Sequence, residues 1–156
     1  MPKLQAKAAL ALALALGCTA APAPARTPTT FVVPTEVPNG RVEITIAPAY
    51  ALGSTVSIPV TIVVTRGSIT GPLTARVMAS GINEGGAPAE VLVRELAVST
   101  VTVTAGNRRS TTVTWDTRDA KGIIVPADAY SLVLEVRSDD GGLTRNVRAG
   151  ATLELR

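Results

Sequence analysis

From Arg41 to the last residue, apolar side chains recur at every second position almost without a break. That rhythm restricts the chain to pleated strands with one face in and one face out. Val42, Ile44 and Ile46 alternate with Arg41, Glu43 and Thr45, and a turn around Pro48 to Gly53 leads into Val56, Ile58, Val60, Ile62 and Val64. Pro59, on the opposite parity, cannot donate to a ladder and marks an edge or a bulge. Gly67 to Gly71 reads as the next turn, Leu73, Ala75 and Val77 as the next inward set, and Gly81 to Pro88 as a long Gly-rich loop. Val91 and Val93 resume the pattern, Leu96 and Val98 carry it in the other parity, and Val101 and Val103 shift it again. A one-residue slip turns every side chain to the other face, so bulges or strand switches are expected there.

The stretch from Thr112 to Tyr130 is the centre of this pattern. Val113 and Trp115 point one way along a strand, an Asp-rich turn containing Gly122 follows, and Val125-Pro126 hands the chain to a strand with Tyr130, Leu132, Leu134 and Val136 on one face. Trp115 is the only tryptophan, and a ring burying roughly 150 to 250 Å² is the natural middle of a core. Val147, Ala149, Ala151, Leu153 and Leu155 close the chain. About seven or eight short strands, with Gly and Pro punctuation and no helical period outside the N-terminus, predict an all-β fold: an Ig-like antiparallel β-sandwich over residues 41–156.

Residues 1–17 read as a targeting segment. Lys3 and Lys7 supply positive charge, and the nine residues Ala8 to Leu16 are all Ala or Leu, too few for the about 20 that a spanning helix needs. Removing the two lysines takes the formal charge from +3 to +1 and leaves Lys121 as the only lysine. With the arginines scattered singly apart from Arg108-Arg109, no basic stripe is left to grip nucleic acid. The absence of histidine removes the commonest general base and metal ligand. Cys18 is the only thiol, so no disulfide can form within the chain. Residues 18–40 carry Pro22, Pro24, Pro28, Pro34 and Pro38 among Ala and Thr, and read as an extended tether of about 3 Å per residue, with Phe31-Val32-Val33 as a candidate short edge strand.

The run ending in Ala15-Leu16-Gly17-Cys18 resembles the signal peptide of bacterial lipoproteins, whose cysteine receives diacylglycerol. The resemblance implies lipidation at Cys18 and a membrane anchor, on the outer membrane or the outer face of the cytoplasmic membrane, because Thr19 is not the aspartate of the inner-membrane sorting rule. From Trp115 onward the chain is similar to the Ig-like segment of flagellar hook-capping proteins and to the BsuPI family of intracellular proteinase inhibitors. Their pattern falls on Trp115, Asp116, Asp119, Gly122, Val125, Pro126 and Tyr130, with Asp128 in place of a family glycine. Asp tolerates a left-handed turn better than most residues, so it is expected to hold that backbone in the glycine's place. Upstream, Val60 to Thr114 is spaced like CARDB-type adhesion modules. In these families the motif is structural, which implies a fold and leaves function to the site.

Asp116, Asp119 and Asp128, with Asp139 and Asp140, offer oxygens of the kind calcium takes, yet aspartates that bond their own turns explain the same residues. Trp115 could stack on a sugar, but its parity with Val113 places it inside. Tyr130 is expected in the core with its hydroxyl on a nearby backbone group. Arg108-Arg109 could meet anionic lipid or polysaccharide, or merely solvate a hairpin. For catalysis there is neither a histidine nor a Ser-x-x-Lys pairing with Lys121, and no metal or other cofactor is called for. The expectation is a non-catalytic, envelope-anchored structural or protein-interaction module with an envelope protein or polymer as partner. The alternative is a proteinase inhibitor presenting Gly81 to Pro88.

Overall fold

The computed structural model describes residues 29–156. The targeting segment, Cys18 and the tether as far as Pro28 lie outside the described residues. Among those described there is no helix, and nine strands form two antiparallel sheets. One sheet has the order β1-β2-β3-β7, from Phe31–Val37, Gly40–Ile46, Val56–Val64 and Arg108–Trp115. The other has the order β5-β4-β8-β9, from Pro88–Leu96, Ser68–Ile82, Ala129–Asp140 and Leu143–Glu154, and β6 (Thr100–Thr104) also pairs with β4.

The alternating residues meet between the sheets. Ile44, Ile58, Val60, Ile62, Ala75, Val77, Val113 and Leu132 are all fully buried. Burial at roughly 25 cal/mol per Å² is the term that outweighs the ordering of these short strands. It also fixes register, since a slip would expose a whole row.

Three expectations change. Among the described residues there are nine strands rather than seven or eight, and the one N-terminal to 41–156 is β1, the edge strand anticipated at Phe31 to Val33, which runs on to Val37 and pairs with Ile46 to Gly40. Its β-branched and aromatic start suits a strand, and Pro34 is tolerated because β1 is an edge. Gly67 to Gly71 is not one turn: β4 already begins at Ser68, and Gly71, at φ 107°, lies within its register shift between Thr70 and Thr74. Val91 is exposed rather than inward, because β4 and β5 run on past the end of the core.

The parity shifts have a physical source. β5 and β6 follow one another along the same edge of β4, β5 against Ala75–Ile82 and β6 against Ser68–Pro72, with a bulge in β5 at Val93. Pro59 sits on an interior strand, yet the pairing of β2 with β3 stops at Ile44 opposite Val60, so β3 has a free side there. Gly40 is required by close approach: a Cβ there would lie 2.0 Å from the Val63 carbonyl oxygen.

Candidate functional site

The Trp115 to Tyr130 motif is the loop that carries the chain from β7 in one sheet to β8 in the other. Trp115 is 1% exposed, so it is a core side chain. Its indole N–H donates to the Arg118 carbonyl at 2.9 Å, and its ring meets Tyr130 edge-on, centroids 5.5 Å apart at 67°. The Tyr130 hydroxyl donates to the Pro126 carbonyl at 2.9 Å, a backbone group four residues upstream, as the sequence led us to expect.

The aspartates serve the loop itself. Asp116 accepts from the Arg118 N–H and pairs with Arg94 of β5 at 3.2 Å. Asp119 Oδ1 accepts from Lys121 N–H and Ile123 N–H, the turn closing through Gly122 at φ 80°. Asp128 accepts from its own neighbour Ala129 N–H. It does not adopt the left-handed backbone expected from the family glycine; the one non-glycine residue described there is Thr117, at φ 55°. In the next hairpin Asp139 bonds Thr70 and Thr144, and Asp140 pairs with Arg66. The Thr144 hydroxyl, then Thr70 and Arg137, hold the Asp139 carboxyl below its ordinary range. Among the described residues no three Asp, Glu, His or Cys side chains converge as a metal site would require.

Thr117 is the residue that sequence reasoning missed most completely. A β-branched side chain with positive φ is costly, of order 1 to 3 kcal/mol, and persists only where its surroundings fix it. Here Thr117 is buried, its hydroxyl accepts from Gly53 N–H at 2.9 Å, and its carbonyl accepts from Val125 N–H at 3.0 Å. It thereby joins the β2–β3 connection to the motif loop. Arg94 was missed too, and its guanidinium reaches both Asp116 and the Asp119 carbonyl, tying the loop to β5.

Beside this loop lies a groove of about 450 Å³. Ala79 of β4, Leu92 and Val93 of β5, and Val125, Pro126 and Tyr130 form its apolar lining, with Asp119, Lys121 and Asp128 among its polar groups. The Gly81 to Pro88 segment, by contrast, is a closed turn. Asn83 N–H donates to the Ala87 carbonyl, and the Asn83 side chain accepts from Gly85 and Ala87. Arg108 and Arg109 are exposed at the start of β7, without an ion pair among the described residues.

Burial, and then the Asp128 charge, raise the Tyr130 phenol above its ordinary value. Folding therefore favours the neutral phenol: its contribution is complete below the unfolded value of about 10 and is lost as pH rises through the folded value. Tyr130→Phe should cost about 0.5 to 1.5 kcal/mol at neutral pH and lose the part of the alkaline stability decline that this phenol carries. Urea midpoints over roughly pH 8 to 11, the span around the ordinary phenol value, would reveal it. A parallel decline in both proteins would mean that Tyr130 does not titrate with unfolding.

No family model matches the chain. No curated protein matches it either. Among solved structures the chain is similar to Spo0M, the sporulation control protein from Bacillus subtilis, with a TM-score of 0.56 and 12% identity over 76% of this chain and 50% of that one. The chain thus spans about half the length of that neighbour, and at such identity the likeness is one of fold alone.

Proposed function

We propose that this protein is a membrane-anchored, non-catalytic lipoprotein of the cell envelope whose Ig-like domain acts as a structural or protein-interaction module. The observation that carries this reading is the fate of the motif's polar groups. Asp116, Asp119, Thr117 and the Tyr130 hydroxyl are all engaged within the fold, which leaves a shaped surface in place of reactive groups. The Ig-like assignment has its own support in strand order. β2, β3 and β7 against β5, β4, β8 and β9 correspond to strands A, B and E against C′, C, F and G. Tyr130, at the start of the F equivalent with its hydroxyl on an upstream carbonyl, corresponds to a tyrosine corner. The reading also draws on the likeness of the Trp115 to Tyr130 motif to the hook-capping and BsuPI domains. The inhibitor alternative has weaker support, because inhibitory loops are held extended and Gly81 to Pro88 is folded back on itself.

The anchor rests on Cys18 at the end of the Ala8 to Leu16 run. One acyl chain binds a bilayer marginally, whereas two or more hold stably, at about 0.8 kcal/mol per buried methylene. Cys18→Ser should move the protein from the membrane pellet to the soluble fraction or stall its processing, and mass spectrometry of the wild type should find an acylated cysteine as the first mature residue. A mature N-terminus elsewhere would sink the anchor and make the domain a secreted one. For the module itself, mild crosslinking of the anchored protein in cells should join it to an envelope protein or polymer. Recovery of no partner across several crosslinker lengths would count against the interaction reading.

A further inference from the structure

The second sheet has an end that the first does not cover. From Ser80 to Leu92, β4 and β5 extend as a hairpin with Ile82 74%, Val91 50% and Leu92 52% exposed. β5 is the edge of its sheet, and among the described residues no backbone group pairs with its outer side from Pro88 to Leu92. That free edge ends at the bulge, where Ala120 N–H donates to the Val93 carbonyl at 3.1 Å. The groove of Val93, Val125, Pro126 and Tyr130 opens beside the same point. A row of unpaired backbone groups bordered by apolar side chains is a template for one more strand.

Charge identifies what that strand should carry. Glu84 and Glu90 are exposed on the hairpin, Asp128 stands at the groove, and none of the three makes an ion pair among the described residues. Of the nearby cations, Arg94 is engaged by Asp116, and Arg76 by Glu95 and Glu135. Lys121 lies next to Ala120, which caps the edge, and so bounds the seat at its closed end. Opposite charges directly across a strand pair are favourable and like charges unfavourable.

We propose that the outer edge of β5 between Pro88 and Leu92 accepts an extended segment of another protein, a strand in which a basic residue opposite Glu90 is flanked by apolar ones. The apolar residue toward Val93 enters the groove, and the basic residue neutralises Glu90. This deepens the interaction reading above and rests on it.

The test uses the full chain and a short, fluorescently labelled, acetylated peptide of alternating valine and lysine, with the valine and glutamate peptide as its counterpart. Anisotropy should rise saturably with the lysine peptide and not with the glutamate peptide. Glu90→Lys, a surface change expected to leave the melting curve intact, should weaken binding by about two- to thirtyfold through repulsion and the lost pair. Absence of saturable binding, or binding that Glu90→Lys leaves unmoved, overturns the assignment. Concentration-dependent light scattering that survives Glu90→Lys and blocks the peptide would give the edge to a second copy instead, and also overturns it. If the Glu90→Lys chain still crosslinks to the wild type's envelope component in cells, the interaction reading stands and only its placement on β5 falls.

Discussion

Trp115→Ala should lower the stability of the domain by about 3 to 5 kcal/mol, a large share of the roughly 5 to 15 available to a fold of this size. Several losses coincide at this position. The ring is fully enclosed opposite Val56, so its removal leaves a cavity that the surrounding strands cannot close without breaking the β3–β7 register. The edge-on contact with Tyr130 disappears, a pair of a kind worth about 0.5 to 1.5 kcal/mol beyond its area. The Arg118 carbonyl also loses its donor. Trp115→Phe separates these terms, since it keeps a ring in place but not the N–H, and should cost about 1 to 3 kcal/mol. Urea unfolding followed by far-ultraviolet circular dichroism gives both midpoints without relying on tryptophan emission. An alanine variant that unfolds at the wild-type midpoint would mean that the ring does not fill the core.

Two-residue periodicity made the inward faces readable because burial on one side of a sheet leaves a direct trace in the sequence. Val56 to Val64, Leu73 to Val77 and Leu132 to Val136 all face the core as the alternation indicates. Tyr130 was legible for the same reason, its parity with Leu132 placing the ring and leaving the hydroxyl to find a carbonyl. The start of β1 was legible in Phe31 to Val33, but its run to Val37 was not, because proline and threonine composition signals an extended chain without saying how far a sheet edge will accept it. Val91 misled because alternation continues along a hairpin that has outrun its partner sheet. Thr117 and Arg94 had no local signal at all: one holds a backbone conformation its residue type disfavours, and the other acts across 22 residues of sequence. The groove is likewise a product of topology, formed where the β7–β8 loop passes the end of β4 and β5.

Asn39→Asp should destabilise the domain by about 3 to 5 kcal/mol at neutral pH, an effect far larger than the change of one atom suggests. Asn39 sits in the β1–β2 turn and is 0% exposed. Its backbone carbonyl accepts from Thr65 N–H at 2.9 Å, its side-chain N–H donates to the Ser68 carbonyl at 2.8 Å, and its side-chain oxygen has no protein partner. The residue therefore clamps the first hairpin to the β3–β4 turn from both ends, its backbone carbonyl accepting from Thr65 and Arg66 and its side chain supplying one buried donor. Ionised aspartate removes that donor and places a charge in a site closed to water, so its pKa should rise on folding. A carboxyl whose folded pKa is raised contributes most below its unfolded value of about 3.9, where the protonated form can still donate to Ser68, and loses that contribution as pH climbs through the folded value. The variant should thus stand nearest the wild type at about pH 3 and fall behind steadily toward neutrality. Asn39→Ala, which only deletes the hydrogen bond, should show a deficit of about 1 to 3 kcal/mol with no such slope. Urea midpoints of wild type and both variants, compared at matched pH, decide it. A flat deficit in the aspartate variant would place the Asn39 side chain in contact with solvent and remove the clamp from the account of how the two hairpins are joined.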